Sequence, residues 1–162
     1  MEPRKLPQNV PAEELINLLP HKGKMFLLDH LTQHDTVART LESESLVTKN
    51  HIFYDEALDG IPSHVAFELI AQSISALSGV TGCERGEPAK PGFLLSLQNY
   101  QAHAESFKVG TSVHCVIKKI DELENMMTYS GVAYSSEDPE KPVVETVITV
   151  METTDLRVLG EN

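Results

Sequence analysis

Apolar positions recur along the chain with two different periods, and the switches between them mark out its elements. After Pro11, the acidic pair Glu13 and Glu14 and the apolar Leu15, Ile16, Leu18 and Leu19 predict a short helix that Pro20 ends. The run MFLLDHL predicts a buried strand, and the alternation in TVARTLESESLV predicts its antiparallel neighbour. A loop over 48–62 follows, long for a compact domain; Phe53 and Tyr54 within it argue for an ordered, working loop rather than a disordered one. Next comes SHVAFELIAQSISALSG, the longest helical signal, with Ser63 as N-cap and Gly79 as stop. Its apolar residues go most of the way round, so the helix is expected to be buried on nearly all sides. FLLSLQNY, TSVHCVIKKI, MMTYSGVAY and VVETVITVME predict four further strands.

Two strands, one buried helix and four strands give an α+β class in which an antiparallel sheet of about six strands wraps around one long central helix, the hotdog fold. A single domain over 1–162 is expected, with residues 1–10 as an N-terminal extension and 155–162 as a flexible C-terminal tail. A chain of 162 residues buries enough surface to need no disulfide or metal staple.

Charge narrows the partners. There are 24 acidic against 13 basic residues, a formal charge of −11, which repels phosphate backbones and makes nucleic acid an unsuitable partner. No apolar run approaches the ~20 residues of a membrane span, and the polar, proline-containing start lacks the apolar core of a signal peptide, so a cytoplasmic location is expected. Cys83 and Cys115 stand far apart, without the close pairing of zinc or redox sites; structural roles are expected for both, and no metal or organic cofactor.

Glu68 is the most informative residue, because a carboxyl in the middle of VAFELIA must lie on a polar stripe, find a partner, or become neutral. Gln72 and Ser75 extend that stripe, and Gln72, one turn on, is placed to hold the carboxyl by a hydrogen bond. Among seven histidines, His30, His34, His103 and His114 have no chemical partner nearby in sequence, and His21 is expected to make a structural hydrogen bond. His51 differs, since its loop must turn back at Gly60 and Pro62 toward the helix start, while His64 follows the expected N-cap. An imidazole and a carboxyl on opposite sides of a substrate suit elimination of water from a 3-hydroxyacyl thioester, His51 taking the C2 proton and Glu68 protonating the leaving hydroxyl. Backbone amides at the helix start, around Ser63 and His64, offer a place for the thioester oxygen.

LLPHKGKMFLLDHL followed by HIFYDEALDGIPSHVAFELIAQSISALSG resembles the hotdog-fold 3-hydroxyacyl-acyl carrier protein dehydratases, and within them the aryl-polyene branch. The first motif, LxPHxGxMxLLD, runs from Leu18 to Asp29, and the second, G-x-P-x-x-x-x-x-E-x-x-A-Q, from Gly60 to Gln72. The resemblance implies a homodimer, or a heteromer with a related dehydratase subunit, with active sites formed between chains. The family's loop histidine falls on His51, its helix carboxylate on Glu68 and its supporting glutamine on Gln72; Ser63 and His64 supply the helix-start amides, with His64 as the alternative base. An acyl tunnel is expected between the helix, at Phe67, and the strand FLLSL, at Phe93, with Phe53 and Tyr54 at its entrance. The partner would be an acidic acyl carrier protein, for which Arg4, Lys5, Lys22, Lys24, Lys90 and Lys108 are candidate cations. Two other readings fit the same fold: an acyl thioesterase that uses the helix carboxylate, and a non-catalytic subunit completing a heteromeric dehydratase.

Overall fold

The computed structural model describes residues 2–153. Strand β1 (Val10–Pro11) leads into helix α1 (Ala12–Leu15) and two 3-10 turns, Ile16–Leu18 and Gly23–Met25. Strands β2 (His30–Asp35) and β3 (Thr40–Leu46) form the expected first hairpin, although MFLLDHL is strand only at its end. A short strand β4 (Gly60–Pro62) closes the long loop, and helix α2 (Val65–Arg85) follows. The rest is β5 (Gly92–Ala102), β6 (Ser106–Lys108), β7 (Ser112–Leu123), β8 (Met126–Ser135) and β9 (Asp138–Glu152). The expected C-terminal tail, 155–162, lies outside the described residues.

Seven strands form one antiparallel sheet in the order β1-β2-β3-β7-β8-β9-β5, and β4 pairs with β6 in a separate ribbon. The fold is the hotdog expected from the chain, with more strands than the six anticipated. The three extra ones are short: Val10–Pro11 and Gly60–Pro62 have too little length for a periodic signal, and Ser106–Lys108 falls in what reads as turn material.

Alternation in β7 and β8 sends Val113, Cys115 and Ile117, and Met127, Tyr129 and Ala133, to the face that grips α2. Gly131 sits in that series because Ile70 occupies the place of a side chain: an added Cβ would lie 2.5 Å from Ile70 Cγ2. The helix in turn buries Val65, Ala66, Leu69, Ile70, Leu77 and Val80. By length and composition Val65–Arg85 could cross a membrane, yet 72% of its most apolar window is buried within the domain, as a core helix requires.

Gly79 does not end the helix, which runs on to Arg85 and stops at Gly86, whose positive φ of 70° allows Gly86 and Glu87 to cap the last turn on the carbonyls of Cys83 and Gly82. Gly79 is instead a packing glycine, where an added Cβ would strike the Leu18 carbonyl oxygen and come within 2.8 Å of Leu18 Cβ. In a free helix Gly→Ala gains about 1 kcal/mol. Here the backbone clash is expected to win, so Gly79→Ala should lose about 1–3 kcal/mol in denaturant unfolding; a gain would mean that α1 and its following turn yield freely.

Candidate active site

Two segments distant in sequence meet at the first turns of α2. Gln72 is fully buried, and its side-chain oxygen accepts from the Leu27 amide at 3.0 Å. Its amide nitrogen donates to the Met25 carbonyl at 2.8 Å and to Glu68 Oε1 at 3.0 Å. Gln72 therefore clamps the segment over 25–27 to the helix and holds the carboxylate with the same group. The clamp brings in His21, whose Nε2 lies 3.5 Å from Glu68 Oε1 while its Nδ1 is buried without a hydrogen-bond partner. Expectation gave His21 a structural bond; it is the imidazole that Glu68 meets within its own chain. The signal was present in the PHKGKM motif, but only the folded clamp shows what that motif approaches.

Glu68 and His21 line one end of a cavity of about 260 Å³ between α2 and the strands β5 and β9. Phe67 also lines it, whereas Phe53, Tyr54 and Phe93 do not; on β5 it is Gly92 and Leu94 that face the cavity, the opposite parity from Phe93. Phe53 and Tyr54 belong to the loop around His51.

That loop has its own hydrogen-bonded turns, through His51 N to the Thr48 carbonyl, Tyr54 N to the His51 carbonyl and Asp55 N to the Gly60 carbonyl. β4 and β6 anchor its end, and Gly60 passes too close to the Phe107 backbone to carry a side chain. The Phe53 amide donates to His51 Nδ1 at 3.1 Å, while Nε2 is buried with no partner among the described residues. Burial pushes the imidazole down from its ordinary pKa, with nearby Asp29 opposing, so the ring is neutral near pH 7 and, with Nδ1 accepting, carries its proton on Nε2. Among the described residues no hydrogen bond or ion pair joins His51 to Glu68 in one chain.

The helix N-cap is His64 rather than Ser63, and no side chain caps the end. The Ser63 amide is occupied by the Glu105 carbonyl at 2.9 Å, so of the two expected backbone donors only that of His64 is left without a backbone partner among the described residues. The His64 side chain is exposed.

Several candidate cations are already engaged: Arg4 pairs with Glu14 at 2.6 Å, Lys22 donates to the Ile16 and Leu19 carbonyls, and Lys108 donates to the Leu58 carbonyl at 2.7 Å. Lys5 and Lys24 are exposed, and Lys90 lines the cavity. Cys83 and Cys115 are free and buried, and burial pushes the Cys115 thiol up to about 12. Among the described residues no group of three or more His, Cys, Asp or Glu side chains is arranged to hold a metal.

This fold and site can be set beside known proteins. No curated protein matches the chain by sequence. The structure resembles the dehydratase heterocomplex ApeI:P from Xenorhabdus doucetiae, with TM-score 0.79 and 18% identity over 90% of this chain and 95% of that one. It resembles smu.793 from Streptococcus mutans UA159, solved with acetyl CoA, with TM-score 0.62 and 12% identity over 85% and 97% of the two chains. A hypothetical thioesterase from Streptococcus pneumoniae TIGR4, solved with coenzyme A, gives TM-score 0.54 and 11% identity over 72% of this chain and 80% of that one. At such identities these likenesses establish the fold. The activity class comes from the family model described as ApeP-like, ApeP dehydratase, which matches residues 13–161, and by that match over nearly its whole length the chain belongs to the ApeP-like dehydratases.

Proposed function

We propose that the protein removes water from (3R)-hydroxyacyl thioesters carried on an acyl carrier protein, giving trans-2-enoyl thioesters in fatty acid or aryl-polyene type biosynthesis in the cytoplasm. The observation that supports this best is the carboxylate of Glu68, fixed by Gln72 at a cavity to which Phe67, Ala71, Ile74, Leu94, Ile148 and Val150 present apolar side chains. Glu68 needs a second group across the substrate, and His51 has a buried Nε2 with nothing to bond among the described residues of its own chain. The assembly joins two hotdog chains, a homodimer or a heteromer with a related dehydratase subunit, so that a loop histidine and a helix carboxylate meet between them. β5 is the edge strand left to pair, and it exposes Leu94, Leu95 and Leu97. Lys24, exposed three residues after His21, is the cation best placed for an acidic carrier.

The hydrogen bond at His51 Nδ1 changes the division of labour expected from sequence. A neutral ring with its proton on Nε2 donates and cannot abstract. In the mechanism we favour, Glu68 takes the C2 proton while the His64 amide holds the thioester oxygen as its negative charge grows. The C2=C3 double bond forms as the C3–O bond breaks, Nε2–H of His51 supports the departing oxygen, and Glu68 returns its proton to that oxygen. Water leaves, and both side chains end as they began.

Incubation with 3-hydroxyacyl-carrier thioesters, read by mass, tests the reaction: loss of water is expected, whereas release of the acyl chain would favour the thioesterase reading. His51→Ala should lower kcat about 10²–10³-fold, the cost of losing a single aimed donor. His51→Gln, which keeps an N–H, should recover part of that loss. If Gln is as poor as Ala, His51 acts as a base.

A further inference from the structure

Glu68 is held by one of its two carboxylate oxygens. Gln72 donates to Oε1 at 3.0 Å, and His21 Nε2 stands 3.5 Å from the same atom. Among the described residues nothing bonds to Oε2. Both Glu68 and His21 line the cavity between α2 and the strands β5 and β9, so the carboxylate with its unbonded oxygen stands where a substrate can reach it.

The turn that carries His21 is fastened on both sides of the ring. Ahead of it, the Lys22 ammonium folds back to donate to the Ile16 and Leu19 carbonyls. Beyond it, Gly23 takes a left-handed φ of 60°, and Gln72 then holds the Met25 carbonyl and the Leu27 amide. Gln72 therefore touches both partners in the contact: it bonds Glu68 directly and pins the segment that brings the imidazole.

Placement constrains the ring as well. A nitrogen that faces a carboxylate oxygen must carry a hydrogen, because two lone pairs would otherwise meet. Nε2 is thus the protonated nitrogen. Nδ1 is buried and faces no partner among the described residues, so no competing bond turns the ring away from Glu68. A separation of 3.5 Å is long for a hydrogen bond, as catalytic contacts often are before substrate is bound.

We infer that His21 is a positioning residue for the dehydration: its Nε2–H, together with the Gln72 amide, occupies Glu68 Oε1 and leaves Oε2 to take the C2 proton and pass it to the departing oxygen. This rests on the dehydratase reading of Glu68 and deepens it. His21 itself neither gains nor loses a proton in the cycle. Without its donor the carboxylate turns more freely about its last torsion, and Oε2 faces C2 for a smaller share of the time.

Side-chain length separates the donor from the bulk of the ring. Gln extends an amide nitrogen to the place of Nε2, whereas the Asn amide stops at the place of Nδ1. The assay uses the assembly that turns over, this chain alone or with a related dehydratase subunit. His21→Asn should lower kcat for a 3-hydroxyacyl-carrier thioester about 10–100-fold, the scale of losing a hydrogen bond to a charged group. KM should stay within about threefold, because the lost contact acts on the reacting carboxylate and not on the acyl chain. His21→Gln should recover most of the rate. Melting curves taken alongside keep the comparison to folded protein. Equal deficits in Asn and Gln, or a loss carried by KM, would overturn the inference. Nitrogen NMR of the histidine-labelled parent gives a readout that needs no variant to fold: the His21 proton should sit on Nε2, and a proton on Nδ1 alone would overturn the inference too. A parent that loses no water in either assembly but carries the Nε2 proton would count against the dehydratase reading and not against the placement of the ring.

Discussion

Glu68→Gln is expected to reduce water loss by about 10²–10⁴-fold, the range associated with removing a positioned acid–base group. Gln matches Glu in shape and keeps an oxygen to accept the Gln72 hydrogen bond, so the clamp on the segment over 25–27 stays in place. It cannot carry a transferred proton. The side chain is only partly buried, and its contact with His21 is long at 3.5 Å, so the substitution should move unfolding free energy by no more than about 0.5 kcal/mol. Activity and stability should therefore separate: kcat falls while the melting curve stays. A variant that still dehydrates within tenfold of the parent would exclude Glu68 as the proton carrier.

Gln72→Leu is expected to do the opposite and damage the fold along with the activity. Leucine fills much the same volume, so a cavity is not the cause. Its cost is the loss of partners for the Leu27 amide and the Met25 carbonyl, at about 1–3 kcal/mol for each group left without a hydrogen bond. Denaturant unfolding reads that loss directly. The released segment carries His21, and Glu68 loses its donor, so kcat should also fall in protein that is still folded at the assay temperature. Comparison with His21→Asn separates the two effects, because that change leaves the clamp intact. Should Gln72→Leu melt at the parent temperature, the two hydrogen bonds to the segment over 25–27 would not be what holds it.

Legibility differed between the fold and the site for a physical reason. The helix and the long strands were readable because burial imposes a period, and the alternation in β7 and β8 survives as a pattern in TSVHCVIKKI and MMTYSGVAY. Gly79 misled because a helix-stopping glycine and a glycine that lets another segment approach leave the same letter. Only the position of Leu18 tells them apart. Glu68 and Gln72 could be paired from their four-residue spacing alone. His21 could not, because its approach to Glu68 depends on hydrogen bonds spanning 45 and 47 residues.

The linear order of residues was enough to set the class of this protein: one greasy helix, the strands around it, and a carboxyl amid the apolar residues near the start of that helix that had to be accounted for. Those are local properties, carried by period, punctuation and the cost of burying charge. Tertiary structure alone decided which imidazole reaches Glu68 within its own chain, which nitrogen of His51 holds the proton, and which parity of β5 lines the cavity beside Glu68. Each of these depends on a donor, an acceptor or a wall arriving from a distant segment, and such meetings have no period for a sequence to display.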